Sequence, residues 1–63
     1  MIQVKTKMGD FIWVAIESCA IATRDGQHFM HSNAIVEEIT SEEKEYLVGA
    51  METALVTMIV HPV

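Results

Sequence analysis

Four side chains in this sequence have the chemistry of metal ligands, namely Cys19, His28, His31 and His61. Cysteine and histidine are the usual zinc ligands. On a strand, the three-residue spacing of His28 and His31 places their imidazoles on opposite faces. Cys19 shares a face with His28 in the register derived below, but lies about four residues away along the ladder, roughly 13 Å. We therefore predict no metal site and no cofactor within one chain; zinc would need ligands from more than one copy.

The same separation argues against nucleophilic catalysis by Cys19 with His28 as base and Asp25 as orienting group. Such groups must lie within hydrogen-bonding reach of one another, and Asp25 is needed in a turn. The sequence also contains no P-loop, GxGxxG, HExxH or GxSxG pattern. We predict that the protein is not an enzyme.

The chain length predicts a single small domain over residues 1–63. A domain of this size buries only about 60% of its unfolded surface, so its stability is marginal. Cys19 is the only cysteine, which excludes an intrachain disulfide. Oligomerisation is a common alternative means of stabilising so small a chain.

The charge balance disfavours nucleic acid as a direct partner, because nine acidic residues against four basic ones give a net charge of -5. The N-terminal stretch MIQVKTKMGDF lacks the apolar run of a signal peptide. The apolar stretch from Leu47 to Val63 carries Glu52 and His61 and falls short of the ~20 apolar residues of a membrane span. One free thiol suits a reducing compartment. We expect a soluble, cytoplasmic protein that does not bind membranes.

Two turn signals predict a three-stranded antiparallel meander over residues 2–7, 11–24 and 28–37. The first signal is Gly9-Asp10 and the second is Asp25-Gly26, a strong hairpin signal between apolar runs. A two-residue turn at Asp25-Gly26 pairs Arg24 with Gln27, Cys19 with Ser32 and Ile16 with Ile35. A two-residue turn at Gly9-Asp10 pairs Thr6 with Trp13 and Val4 with Ala15.

One amphipathic helix is predicted over residues 41–60, which makes the fold class α+β. Thr40 and Glu43 have the spacing of a capping box, with Ser41 as an alternative cap. Apolar residues then recur at helical spacing and form a stripe of Leu47, Met51, Ala54, Leu55, Met58 and Ile59, with Ala50 beside it. Pro62 is expected to end the helix. The competing interpretation makes residues 55–60 a fourth strand, because valine and threonine are dense there.

A single helix can cover only one face of this sheet. The predicted register places Phe11 and Trp13 on the covered face. The opposite face would leave an apolar patch in water, and such patches usually mark interaction sites. We expect this interface to comprise Ile12, Val14, Ile16, Phe29, His31, Asn33 and Ile35. A bent sheet or a C-terminal tail folded over the patch would be the alternative.

The functional prediction is a small acidic interaction module that regulates or inhibits a partner protein, as a homo-oligomer formed through the helix-free sheet face. The alternative is a small-molecule-binding oligomer with sites at subunit interfaces, near Glu17, His31 and Asn33. Clustered carboxylates form a candidate surface for a basic partner, although acidic residues at a helix start are also ordinary dipole stabilisers. These residues are Glu37, Glu38, Glu42, Glu43 and Glu45.

Overall fold

A computed structural model describes the backbone of residues 1–60 and the side chains of residues 1–55. Five strands precede one helix, with a single turn of 3₁₀ helix at Ile16–Ser18. The strands are β1 (Ile2–Lys5), β2 (Phe11–Val14), β3 (Cys19–Arg24), β4 (Gln27–Ser32) and β5 (Ile35–Ile39), and the helix is α1 (Ser41–Val60).

The predicted α+β class, with a three-stranded antiparallel sheet and a C-terminal helix, is confirmed. The predicted strand bounds are wrong, because the strands divide between two sheets. One sheet is the hairpin β1-β2, and the other has the order β3-β4-β5. The predicted strands 11–24 and 28–37 are each interrupted, so that three expected strands become five.

The β1-β2 hairpin closes through a turn longer than the predicted two residues. The Thr6 amide donates to the Asp10 carbonyl at 2.7 Å, and the Gly9 amide donates to the Thr6 carbonyl at 3.0 Å. Gly9 adopts a φ of 97°, which glycine accepts without steric cost. Val4 consequently pairs with Ile12 instead of Ala15, and Trp13 pairs with Gln3 instead of Thr6. Since the slip is three residues, an odd number, it exchanges the two faces of β2.

Residues 11–24 change sheets at Ala15, where the 3₁₀ turn begins. The Ser18 hydroxyl donates to the Ala15 carbonyl at 3.0 Å, and the Ser18 amide donates to the same carbonyl at 3.1 Å. A serine hydroxyl offers the backbone an alternative to ladder pairing. This local turn is the physical reason that the predicted continuous strand breaks.

The hairpin at Asp25-Gly26 has the predicted register, with Cys19 opposite Ser32 and Arg24 opposite Gln27. Both turn residues have positive φ, 52° for Asp25 and 75° for Gly26, as a tight hairpin of this kind requires.

A second two-residue turn, at Asn33 and Ala34, divides the predicted strand 28–37. Asn33 has a φ of 53°, a conformation that asparagine tolerates better than most residues. Ile35 therefore pairs with Ser32 across this turn, and the predicted pairing of Ile16 with Ile35 is wrong.

The core lies between the two sheets and the first half of α1. Five hydrophobic side chains are fully buried among those described, and each comes from a different element: Val4, Val14, Met30, Ile39 and Leu47. Ile12 packs against this cluster from β2. The expected placement of Trp13 in the covered core is wrong, because the register slip turns Phe11 and Trp13 outward.

Lys5 at the end of β1 and Lys7 in the following turn contact the start of α1 and β5, and so join the two sheets; we call this group the clasp (Lys5, Lys7, Glu38 and Glu43). The Lys7 amide donates to the Glu38 carbonyl at 2.8 Å, and Lys7 Nζ lies 2.9 Å from Glu38 Oε2. The Lys5 amide donates to Glu43 Oε2 at 2.9 Å. The two lysines therefore belong to a connection between sheets, and β1 is not a free edge at this end.

The helix begins at the predicted cap. The Glu43 amide donates to Thr40 Oγ1 at 3.2 Å, and the Lys44 amide donates to the Thr40 carbonyl at 2.9 Å. The Glu43 carboxylate does not complete the capping box, since it accepts the Lys5 amide instead. The helix then continues to Val60, so the strand interpretation of residues 55–60 is wrong. The stop expected at Pro62 lies outside the described residues.

The part of the chain that the structure describes contains no helix with the length and hydropathy required to span a bilayer.

Replacing Thr40 by alanine should lower the free energy of unfolding by about 1 kcal/mol, because the first turn of α1 loses its side-chain cap. Urea titration followed by circular dichroism measures the effect. Ser41→Ala is the matched control, and we expect it to change stability by less than about 0.5 kcal/mol. Equal effects of the two substitutions would contradict the assignment of the cap to Thr40.

Candidate interaction surfaces

The structure does not bring the predicted interface residues onto one face. Val14 is fully buried and Ile12 packs against the core from the same side of β2. Ile16 lies in the 3₁₀ turn and Asn33 lies in the β4-β5 turn. Phe29 and His31 share the outer face of the three-stranded sheet, whereas alternation places Ile35 on the opposite face.

The outer face of the three-stranded sheet presents two short cross-strand rows. One row contains Ala20, His31 and Val36, and the other contains Ala22, Phe29 and Glu38. The Arg24 guanidinium lies 5.0 Å from the centre of the Phe29 ring, a cation-π contact. Phe29 and His31 are half-buried, whereas Val36, in the same row as His31, is 52% exposed.

The outer face of the β1-β2 hairpin is the more exposed apolar surface; we call it the aromatic face (Gln3, Lys5, Phe11 and Trp13). Phe11 is 60% exposed and Trp13 is 61% exposed, and both project from β2 on the side away from the core. Lys5 pairs with Phe11 across the hairpin, and its Nζ lies 6.0 Å from the ring centre. Two large aromatic side chains thus lie in water beside a cation.

A groove separates the second half of α1 from the 3₁₀ turn. Its volume is about 700 Å³, and its described lining is mostly apolar: Ile16, Glu17, Cys19, Met51, Glu52, Ala54 and Leu55. Three of these residues belong to the helical stripe that was predicted to pack on the sheet. They line an open space because the 3₁₀ turn, which the sequence analysis missed, forms the facing wall.

Cys19 contributes a thiol to this groove. Its Sγ donates to the Ala15 carbonyl at 3.4 Å. Burial raises the pKa of the Cys19 thiol, the negative charge of Glu17 raises it further, and a hydrogen bond with Ser32 partly opposes the shift. The thiolate is the nucleophilic form, so the groove holds a protonated and weakly reactive sulfur at neutral pH.

The candidate metal ligands are placed apart. His28 Nδ1 lies 2.9 Å from Thr23 Oγ1 on the same hairpin. Within the described residues, no three histidine, cysteine or acidic side chains come close enough to hold a metal ion. His61 lies outside those residues. Of the three residues predicted for a small-molecule site, Glu17 lines the groove, whereas His31 and Asn33 are not part of its described lining.

The acidic residues do not form one free stripe. Glu37 and Glu38 are adjacent on β5, and alternation places them on opposite faces. Glu38 and Glu43 are engaged in the clasp. Glu42 and Glu45 are exposed near the start of α1, and they remain as the carboxylates available to a basic partner.

The raised pKa of Cys19 predicts slow alkylation by iodoacetamide, since less thiolate is present at a given pH than for an unperturbed cysteine. The alkylation rate is measured across the alkaline pH range by mass spectrometry of samples quenched at fixed times. We expect the native protein to react several-fold more slowly than the urea-unfolded chain, with a midpoint at higher pH. A native rate equal to or above the unfolded rate would contradict the placement of Cys19.

No protein family model, no curated protein and no solved structure matches this chain.

Proposed function

We propose that this chain is a protein-interaction module, which regulates or inhibits a partner protein that it contacts through the aromatic face. The proposal also takes the working form to be a homo-oligomer in the cytoplasm. The observation that carries the first part is the side-by-side exposure of Phe11 and Trp13, each about three-fifths open to water.

Aromatic anchors of this kind are typical of binding surfaces. Tryptophan, tyrosine and arginine dominate the residues whose truncation costs most at protein interfaces. Exposing two large aromatic rings to water is unfavourable by the area that they present. The short hairpin holds both side chains on one face because successive residues of β2 alternate. A partner that covers this face therefore removes the largest apolar side chains from water without any change in the fold.

Charge narrows the class of partner. The chain carries a net charge of -5, which favours approach to a protein with a basic surface and disfavours nucleic acid. Glu42 and Glu45 supply exposed carboxylates at the start of α1. The aromatic face itself carries Lys5, so the apolar contact and the acidic attraction come from different parts of the molecule. The free cysteine Cys19 also suits a reducing compartment.

The alternative of a small-molecule-binding oligomer has less support. Its proposed polar residues, Glu17, His31 and Asn33, do not line one cavity among the described residues. The groove volume of about 700 Å³ lies within the range of ligand pockets, but we assign a different occupant to this groove below.

The double variant Phe11→Ser, Trp13→Ser tests the aromatic face. Both side chains are mostly exposed, so we expect the fold to persist, while binding of the partner weakens at least ~30-fold, as for the loss of an aromatic anchor. The immobilised protein is used to capture partners from the cells that produce it, and affinity for the purified partner is then measured by surface plasmon resonance.

The matched control is Tyr46→Ser, Val48→Ser, which removes two exposed apolar side chains from α1. We expect this control to bind like the wild-type protein. A double variant of the aromatic face that binds the same partner with unchanged affinity would refute the proposed surface.

A further inference from the structure

The second half of α1 has an apolar sequence that the rest of the described chain leaves partly uncovered. Between Glu52 and His61 the sequence is TALVTMIV, without a charged residue, and the helix extends through it to Val60. Apart from Thr53 and Thr57, which lie four residues apart on one face, the segment is apolar, and apolar helix faces are normally buried. Leu55, the last side chain described, is 57% exposed.

The overall dimensions indicate that this helix extends past the core. A helix of 20 residues is about 30 Å long. The molecule measures 38 × 21 × 18 Å, so a rod of that length fits only along the longest axis. The radius of gyration is 12.1 Å, whereas a compact domain of this length has about 10.6 Å.

The surface area leads to the same conclusion. The chain exposes 4569 Å², and a compact monomer of 7.1 kDa is expected to expose about 4,100 Å². The excess is roughly 500 Å² per chain. Two copies that each bury this excess together reach about 1,000 Å², the lower bound for a specific interface.

We propose that two copies of this chain form a two-fold symmetric dimer in which the second half of each α1 docks into the groove of the other copy. This inference rests on the homo-oligomer part of the proposed function and names its surface. It also goes beyond that proposal, because the surface differs from the aromatic face assigned to the partner.

The apolar segment of α1 and the groove are complementary surfaces of the same chain, which indicates a second copy as the occupant of the groove. The apolar helix segment and the groove lined by Ile16, Met51 and Leu55 are adjacent parts of one chain. A two-fold axis beside the helix brings each segment to the other copy's groove, so one patch serves as both surfaces. Antiparallel helices also place opposite dipole ends together. An unrelated partner would have to supply a matching apolar helix that the second copy already provides.

Charge sets the expected salt dependence of the dimer. Each copy carries a net charge of -5, so two copies repel at long range, while the docking segment itself is uncharged. Salt screens that repulsion and leaves the apolar contact intact. Dimerisation should therefore strengthen as ionic strength rises, whereas an interface held by ion pairs would weaken.

Sedimentation equilibrium of the full chain is the test, with Leu55→Glu as the disrupting variant and Tyr46→Glu as the control. Tyr46 lies on the same helix and is 51% exposed, so the two substitutions have similar effects on an isolated chain. We expect the wild-type protein and Tyr46→Glu to have twice the chain mass. We expect Leu55→Glu to raise the dimer dissociation constant at least ~100-fold, because the substitution buries an unpaired carboxylate.

Isotope-filtered nuclear Overhauser spectra of mixed labelled and unlabelled protein provide a second readout. We expect intermolecular contacts between the methyl groups of Leu55 in one copy and those of Ile16 and Met51 in the other. A dimer that survives Leu55→Glu and shows no such contacts would overturn this inference while leaving the homo-oligomer proposal intact.

A protein that sediments as a monomer at all concentrations would overturn both the dimer and the homo-oligomer part of the proposed function. A monomer whose groove binds an apolar small molecule would overturn them too. Neither result would affect partner binding by the aromatic face, which Leu55→Glu leaves unchanged.

Discussion

The structure depends on a very small core. Five fully buried hydrophobic side chains, one each from β1, β2, β4, β5 and α1, hold the described elements together. A 63-residue chain has too much surface for its volume to bury more, yet half of its residues are hydrophobic. Many of the remaining apolar side chains are therefore partly or largely exposed, among them Phe11 and Trp13 on the aromatic face and Leu55 beside the groove. The interaction surfaces therefore follow from the same limit on burial that makes the isolated fold marginal.

Polar contacts determine which apolar side chains are left exposed. The clasp joins the turn after β1 to β5 through Lys7 with Glu38, and the end of β1 to the start of α1 through the Lys5 amide with Glu43. It fixes β1 with Val4 facing the core, and pairing then turns Phe11 and Trp13 away from it. The Thr40 cap starts α1 directly after β5, so that Leu47 reaches the core. Met51, Ala54 and Leu55 then line the groove beside the 3₁₀ turn. These few exposed hydrogen bonds therefore determine the orientation of the aromatic face and of the groove.

Local signals in the sequence were sufficient to predict the α+β class, the bounds of α1, its cap at Thr40 and the register of the Asp25-Gly26 hairpin. Each depends on residues close together in the chain. The turn after β1 was misjudged because Thr6, which is buried in the fold, accepts the Asp10 amide at Oγ1 and lengthens the loop. That slip of three residues reversed the faces of β2, so Trp13 was expected inside and Val14 outside. The groove was not foreseen because its wall depends on Ser18, whose hydroxyl closes the 3₁₀ turn. The spacing of Thr6, Gly9 and Asp10 was the one signal that favoured a longer turn.

We infer that each copy of this chain leaves an apolar surface along the groove that a second copy covers. The urea unfolding midpoint should then depend on protein concentration, because association that requires the folded state makes stability depend on concentration. We expect the midpoint to rise steadily as the purified protein is concentrated. A midpoint that stays constant from dilute to concentrated solution, with a complete cooperative transition throughout, would contradict it.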